Sequence, residues 1–432
     1  MQLNNTKNIS ISLAAAACAL LNTPVQAEDE SQADDWKFDT AILYYGETDR
    51  VQLAEGVLNA KKDFGEQHIF NGKIAVDTLT GASASGAVAQ PSAQTFTRPS
   101  GNGQYAISPG ETPLDDTFKD TRVQLSAQWT QPLWENVTGS TGGNLSKEYD
   151  YFSLGVNGSL AWDFNQKNTT VSGGLAYQFD SIDPVGEAPV GLSSMVINSG
   201  QFSDDSAFEQ AFNATRTTDD KDKSTVDLLL GVTQVISRRM LMQFNYSYSV
   251  ADGYLTDPYK LLSVVNSEGM TQDILHENRP DKRTKQSFYW QTKYASDYGI
   301  ADLSYRYATD DWDIDSHTLD SRFRVKLSGN SYLQPHFRYY QQSAADFYQP
   351  FLIEGSLLPS VASADYRLGE MTAFTVGLKY GQILDDGREW AVRVEYYQQS
   401  PKNSAFNEPG ALQDLDLYPS VDAVIAQVSY SF

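Results

Sequence analysis

From Trp36 onward the chain is a succession of segments, each about ten residues long, in which apolar and polar positions alternate strictly. Period 2 predicts strands, because successive side chains of an extended backbone point to opposite faces. One face collects Phe152, Leu154, Val156, Leu160, Trp162 and Phe164, then Val171, Leu175, Tyr177 and Phe179, then Met240, Met242, Phe244, Tyr246 and Tyr248. The other carries Ser153, Asn157, Ser159, Ser172, Gln178, Gln243 and Asn245. The pattern recurs at Leu303, Tyr305 and Tyr307, and at Phe374, Val376, Leu378 and Tyr380. Helical periodicity is nearly absent.

Such a face is either the core side of a soluble sandwich or the lipid side of a membrane barrel. Connection lengths separate the two. Tight turns at 165–168, 237–239, 296–299, 328–330 and 385–387 alternate with long connections near 80–118, 181–222, 251–282, 344–365 and 400–419. Short turns on one rim and long loops on the other are how transmembrane antiparallel barrels are built. The chain also ends on an alternating strand, Val424 to Phe432, whose terminal Phe432 and in-phase Tyr430 resemble the insertion signal read by barrel assembly machinery. The expected fold is therefore an all-β transmembrane barrel of about sixteen strands, fourteen to eighteen, with short periplasmic turns and long extracellular loops. Pro335 falls inside one strand, and a closed barrel has no edge where a missing N–H is harmless, so a bulge is expected there.

Composition adds context. The 432 residues carry 55 Asp and Glu against 32 Lys and Arg, a net charge of -23, which argues against a nucleic-acid partner. Lys7, an apolar stretch from Ile9 to Leu21 and Val25-Gln26-Ala27 read as a cleaved signal peptide over 1–27, followed by a short periplasmic segment 28–35 and the barrel over 36–432. That cleavage removes Cys18, the single cysteine, so the mature chain has no disulfide, Cys-ligated metal or attached haem. Localisation in the outer membrane of a Gram-negative bacterium follows, with lipid and lipopolysaccharide as neighbours.

On the inward phase the second half of the chain is basic: Arg283, Lys285, Lys293, Arg306, Arg322, Arg324, Lys326, His336, Arg338, Lys379 and Arg393. Inward acids there are few, chiefly Asp302, Asp320 and Glu395. Rings of Lys and Arg select anions in pores, so a porin-like channel for small polar or anionic solutes is expected. The competing expectation is that these cations pair with acids from an inward-folded loop and only hold the barrel closed. Catalytic signatures are missing: the four histidines lack zinc spacing and there is no Gly-x-Ser-x-Gly elbow, leaving a hydrolase as a minor alternative. No cofactor is expected, although Asp204-Asp205 and Asp219-Asp220 could bind divalent cations.

Five blocks at strand ends and loops carry a resemblance: Asp77-Thr78-Leu79-Thr80-Gly81-Ala82-Ser83, Asp120-Thr121-Arg122, Glu148-Tyr149-Asp150-Tyr151-Phe152-Ser153, Gly253 to Lys260, and Glu277-Asn278-Arg279-Pro280-Asp281. Together they resemble a Gram-negative outer-membrane barrel family catalogued as a domain of unknown function. The resemblance implies the barrel and its location, and supplies no substrate. From the block chemistry, Asp77, Asp257, Tyr259, Lys260, Glu277, Arg279 and Asp281 are expected to form a hydrogen-bonded loop cluster over the mouth, or else only to set turns. The alternative to a pore is a plugged scaffold docking a periplasmic or surface partner, and the sign to look for is inward folding of the Gly-, Ser- and Ala-rich loop 80–118.

Overall fold

The computed structural model describes residues 36–219, 221–327, 329–403 and 406–432. The expected signal peptide and residues 28–35 lie outside them, as does Asp220. Sixteen antiparallel strands close into one barrel: Trp36–Glu47, Val51–Asp63, Ile69–Ala84, Leu114–Trp134, Val137–Lys147, Tyr151–Phe164, Thr169–Ile182, Lys221–Ser237, Met240–Gly253, Lys282–Ala295, Gly299–Asp310, Asp315–Lys326, Ser331–Gln342, Met371–Ile383, Glu389–Pro401 and Val421–Ser431. The last strand pairs with the first, Val428 opposite Ile42, so no edge is left. At the seam Phe38 and Phe432 exchange both backbone hydrogen bonds, at 2.7 and 2.9 Å, and their rings stack at 5.4 Å.

The apolar phase faces outward. Ile42 is 71% exposed and Leu175 61%, values that only a lipid surround makes favourable. Aromatic pairs mark the short-turn rim: Trp36 with Phe38, Trp162 with Phe164, Tyr380 with Trp390. Their amphipathic rings suit the membrane interface. The inward phase is polar, and Ser153, Gln178, Asp180 and Gln243 are buried there.

Pro335 produces no bulge. Arg322 faces His336 and Val325 faces Leu333 in one continuous register, and only the two positions between them lose pairing. On the other side Pro335 still faces Leu378 in register. A skipped hydrogen bond next to proline disturbs the ladder less than an inserted residue would, since the neighbouring bonds hold the alignment. Register shifts occur instead at Gly81/Ser83, Pro132/Trp134 and Val235/Ser237.

Gly81 sits at the first of these with φ +127, and a Cβ built there would collide with the carbonyl oxygen of Arg50. Gly81→Ala is expected to destabilise the barrel by roughly 1–3 kcal/mol from backbone strain alone. A lower urea midpoint for loss of heat-modifiable migration on gels checks this; an unchanged midpoint would mean that the strand shifts without cost.

Candidate functional site

The long loops do not stand free. Segments 85–113, 183–219, 254–281, 343–370 and 406–420 fold together into a cap across the extracellular mouth. Leu261–Val265 pairs antiparallel with Thr271–His276 and parallel with Leu352–Ile353, giving the cap its own sheet. Apolar side chains from different loops pack around it: Ala87, Phe96, Met195, Leu261 and Ile274 in one cluster, Val88, Val265, Phe351 and Leu412 in another. The small residues of the first long loop do fold inward. Gly86 has φ +98, and a Cβ there would lie 2.5 Å from the carbonyl oxygen of Leu261.

At the centre of the cap lies a buried ionic cluster. Glu277 and Arg279 pair at 2.6 Å, and Arg279 reaches Asp365 at 2.8 Å. Arg367 pairs with both Asp365 and Asp257, the latter at 2.9 Å, while Ser363 donates to Glu277 and the Lys260 ammonium to the carbonyl of Ala84. Three acids and three bases thus neutralise one another away from water, and Lys260 and Glu277 are fully buried. Burial alone would raise Asp365, but Arg367 and Lys260 override it and hold the carboxyl well below the usual range. Burial pushes Glu277 upward, Arg279 opposing, and brings Lys260 down to about 8.

Of the expected loop cluster, the structure brings together Asp257, Lys260, Glu277 and Arg279. Tyr259 stands at the edge and donates to Asp150. Asp77 and Asp281 are not in the cluster. Asp77 points into the barrel and is held by Arg122 at 2.6 Å, because its strand phase turns it to the wall; Asp281 contributes its carbonyl, to Gly253, at 2.8 Å. Sequence reasoning missed Ser363, Asp365 and Arg367. They lie about a hundred residues downstream of the cluster's loop, and only the closing of the cap makes them its partners.

Below the cap the wall is basic, with a correction to its pairing. Arg283 bonds Asp310 at 2.9 Å and covers the Trp312 ring at 4.2 Å; Lys293 meets Asp302 at 3.8 Å; Arg322 meets Asp320 at 3.4 Å; Arg324 and Lys379 each meet Glu389 at 3.8 Å; Arg393 meets Glu395 at 3.7 Å. His336 bridges Asp320 and Glu395 at 3.0 and 2.8 Å. These acids belong to the barrel strands, not to an inward loop: Asp320 and Glu395 lie two residues from their arginines on the same strand, Asp302 faces Lys293 in register, and Glu389 is reached from other strands. Most of these contacts are long and their cations half-exposed, which makes them weak. Arg306, Lys326 and Arg338 have no carboxylate within ion-pair distance among the described residues, and Lys285 likewise stands without one. Lys37, Lys61 and Lys73, which the basic set read from the second half of the chain leaves out, share the inward phase of the first three strands with Asp39, Glu55 and Asp63, so the wall there carries both charges.

The carboxylates of Asp120, Glu148 and Asp150 approach within 4.8 Å of one another at the upper rim and could ligate a divalent cation. Burial, with Asp120 adding, pushes Glu148 up to about 8, so a shared proton serves there as well. Of the acidic pairs expected to bind cations, Asp204 is engaged elsewhere, since it accepts from the Ala207 amide at 2.9 Å and caps the helix Asp205–Asn213.

A closed sixteen-strand barrel with a lipid-facing apolar belt, short turns at one end and capped loops at the other is an outer-membrane β-barrel. Within that class the chain belongs to the family described as "Protein of unknown function (DUF3570)", which matches residues 10–432. Among solved structures it is similar in fold to a "Bacterial polysaccharide outer membrane secretin", 10% identical, covering 93% of this chain and 99% of that one at a TM-score of 0.41. It is also similar to the "CymD monoaromatic hydrocarbon channel", 9% identical over 93% and 88% of the two chains at 0.36. A third is the ferric enterobactin receptor PfeA from Pseudomonas aeruginosa with enterobactin, 7% identical over 91% and 60% at 0.42. No curated protein matches the chain in sequence.

Proposed function

We propose that this barrel is a gated channel of the Gram-negative outer membrane for small anionic or polar solutes, closed on the outside by its folded cap. The observation that carries the reading is the set of half-exposed cations on the wall below the cap, with Arg306, Lys326 and Arg338 outside any ion pair among the described residues. Cations left available to a water-filled space attract anions, whereas a purely structural lining would pair its charges completely. The cap core supplies the second reading, a plugged scaffold, since clusters of buried apolar side chains resist opening.

Planar-bilayer recording of the mature barrel under a salt gradient separates them. The gated-channel reading expects brief, anion-preferring openings, with the reversal potential moving toward zero when Arg322, Arg324 and Arg338 are made Gln together. Silence from correctly folded protein, persisting after deletion of 86–112, would sink the channel reading and leave the scaffold.

A further inference from the structure

One cation of the cap lies outside its ionic cluster. Arg216 stands on the two-residue strand Arg216–Thr217, paired with Ala188–Pro189. Its guanidinium covers the ring of buried Phe212 at 4.3 Å, and its Nε is buried with no hydrogen-bond partner. Among the described residues no carboxylate reaches it, and the three acids of the cluster are already matched by Lys260, Arg279 and Arg367. A partly buried guanidinium without a counter-ion is costly, and burial lowers its pKa to about 10.

Two further buried groups of the cap, each near enough to Arg216 to feel its charge, are also unbonded. His276 is 5% exposed and neither ring nitrogen has a partner, which is unusual for a buried imidazole. The Tyr254 hydroxyl is buried and unbonded too. One segment ties the first two together: the Val190 amide donates to Thr215 and the Leu192 amide to the carbonyl of His276. Arg216 acts electrostatically on both: it adds to the burial that drives His276 down to about 3, and together with Arg279 it opposes the burial and the Asp257 and Glu277 charges that raise Tyr254.

We propose that Arg216, His276 and Tyr254 form an oxyanion site inside the cap that takes a phosphate-type group. The donors fit an acceptor-only ligand: a planar guanidinium that cannot lose its proton, a phenolic O–H, and the N–H of an imidazole. Water can satisfy the phenol and the ring but cannot neutralise the guanidinium, and a tetrahedral oxyanion offers several acceptors to donors arriving from different elements. The group can come from free phosphate or from a phosphorylated lipid headgroup of the outer leaflet.

Isothermal titration calorimetry of the full mature barrel with inorganic phosphate tests this without reference to conductance. One phosphate per chain is expected, with chloride failing to compete at equal concentration. Arg216→Gln should weaken binding at least tenfold and His276→Phe several-fold, while Arg388→Gln, on an exposed periplasmic turn, should leave it unchanged. Repeating the titration in phosphatidylcholine vesicles with and without lipid A identifies the source: loss of the phosphate heat only with lipid A present points to the headgroup, an unchanged heat to free phosphate. No saturable heat from the wild-type barrel in plain vesicles, or wild-type affinity in a folded Arg216→Gln variant, overturns the proposal.

Discussion

Arg279→Ala is expected to unlock the cap. Arg279 neutralises two fully buried carboxylates, Glu277 and Asp365, and its removal leaves three carboxylates, Asp257 included, with only Arg367 and Lys260 as counter-charges. Breaking a buried ion pair from one side costs about 3–5 kcal/mol, which corresponds to roughly two to four orders of magnitude in the closed-to-open ratio of the cap. Hydrogen exchange should report it directly: amides of Leu261–Val265 and Thr271–His276 would exchange far faster, while those of the barrel strands keep their protection. In bilayers the same variant should lengthen the openings. Unchanged exchange in the cap sheet would mean that the apolar clusters hold the cap alone. Arg279→Lys should fall between, because an ammonium keeps the charge but not the two-sided reach to Glu277 and Asp365.

Acidification is the second large effect. His276 has a folded pKa of about 3 against about 6.5 unfolded, because burial, helped by Arg216, disfavours its charged form. For a base with a depressed folded pKa, the neutral form's contribution is fully present above the unfolded value and is lost as pH falls toward the folded one. At pH 4.5, two units below 6.5, the loss is about 3 kcal/mol at about 1.4 kcal/mol per unit. Other groups titrate in the opposite sense, Glu277 in the cap and Glu148 at the barrel rim among them, since burial raises both. The difference between wild type and His276→Phe cancels them. In chloride buffer the cap of the variant should be about as protected as wild type at pH 7 and roughly a hundredfold better protected at pH 4.5. Parallel pH profiles for the two proteins would mean that the imidazole reaches solvent or a partner on protonation.

Much of the barrel is legible along the chain, for a definite reason. A strand with lipid on one side and water on the other must alternate, and a one-residue slip would turn every apolar side chain inward, so phase and register are written into each segment separately. The run Leu154, Val156, Leu160, Trp162 and its polar partners Ser153, Asn157 and Ser159 carry this without help from any other segment. Connection length gives the two ends in the same local way and the strand number as about sixteen, within fourteen to eighteen; the closed barrel has sixteen. The Pro335 expectation failed because it weighed a single missing N–H and not the flanking pairs that keep the register.

The candidate site divides along the same line. Strand phase alone places Arg322, Arg324, Lys326, Arg338 and Arg393 on the inner wall. Their acidic partners required knowledge of which strands are neighbours: Glu389 begins one strand, yet it meets Arg324 and Lys379 from two others.

Local pattern was therefore enough for the class of fold, the orientation of its faces and the basic lining, because each of these is a property of a few consecutive residues facing lipid or water. Long-range packing was needed for the rest: that the mouth is capped, that Asp257, Lys260, Glu277 and Arg279 are completed by Ser363, Asp365 and Arg367, and that Asp77 stays on the wall. Loops carry no period, so nothing local states which loop packs on which. Their partners are chosen by pairing buried charge and excluding water among segments far apart in the chain, and those are energies of the folded whole.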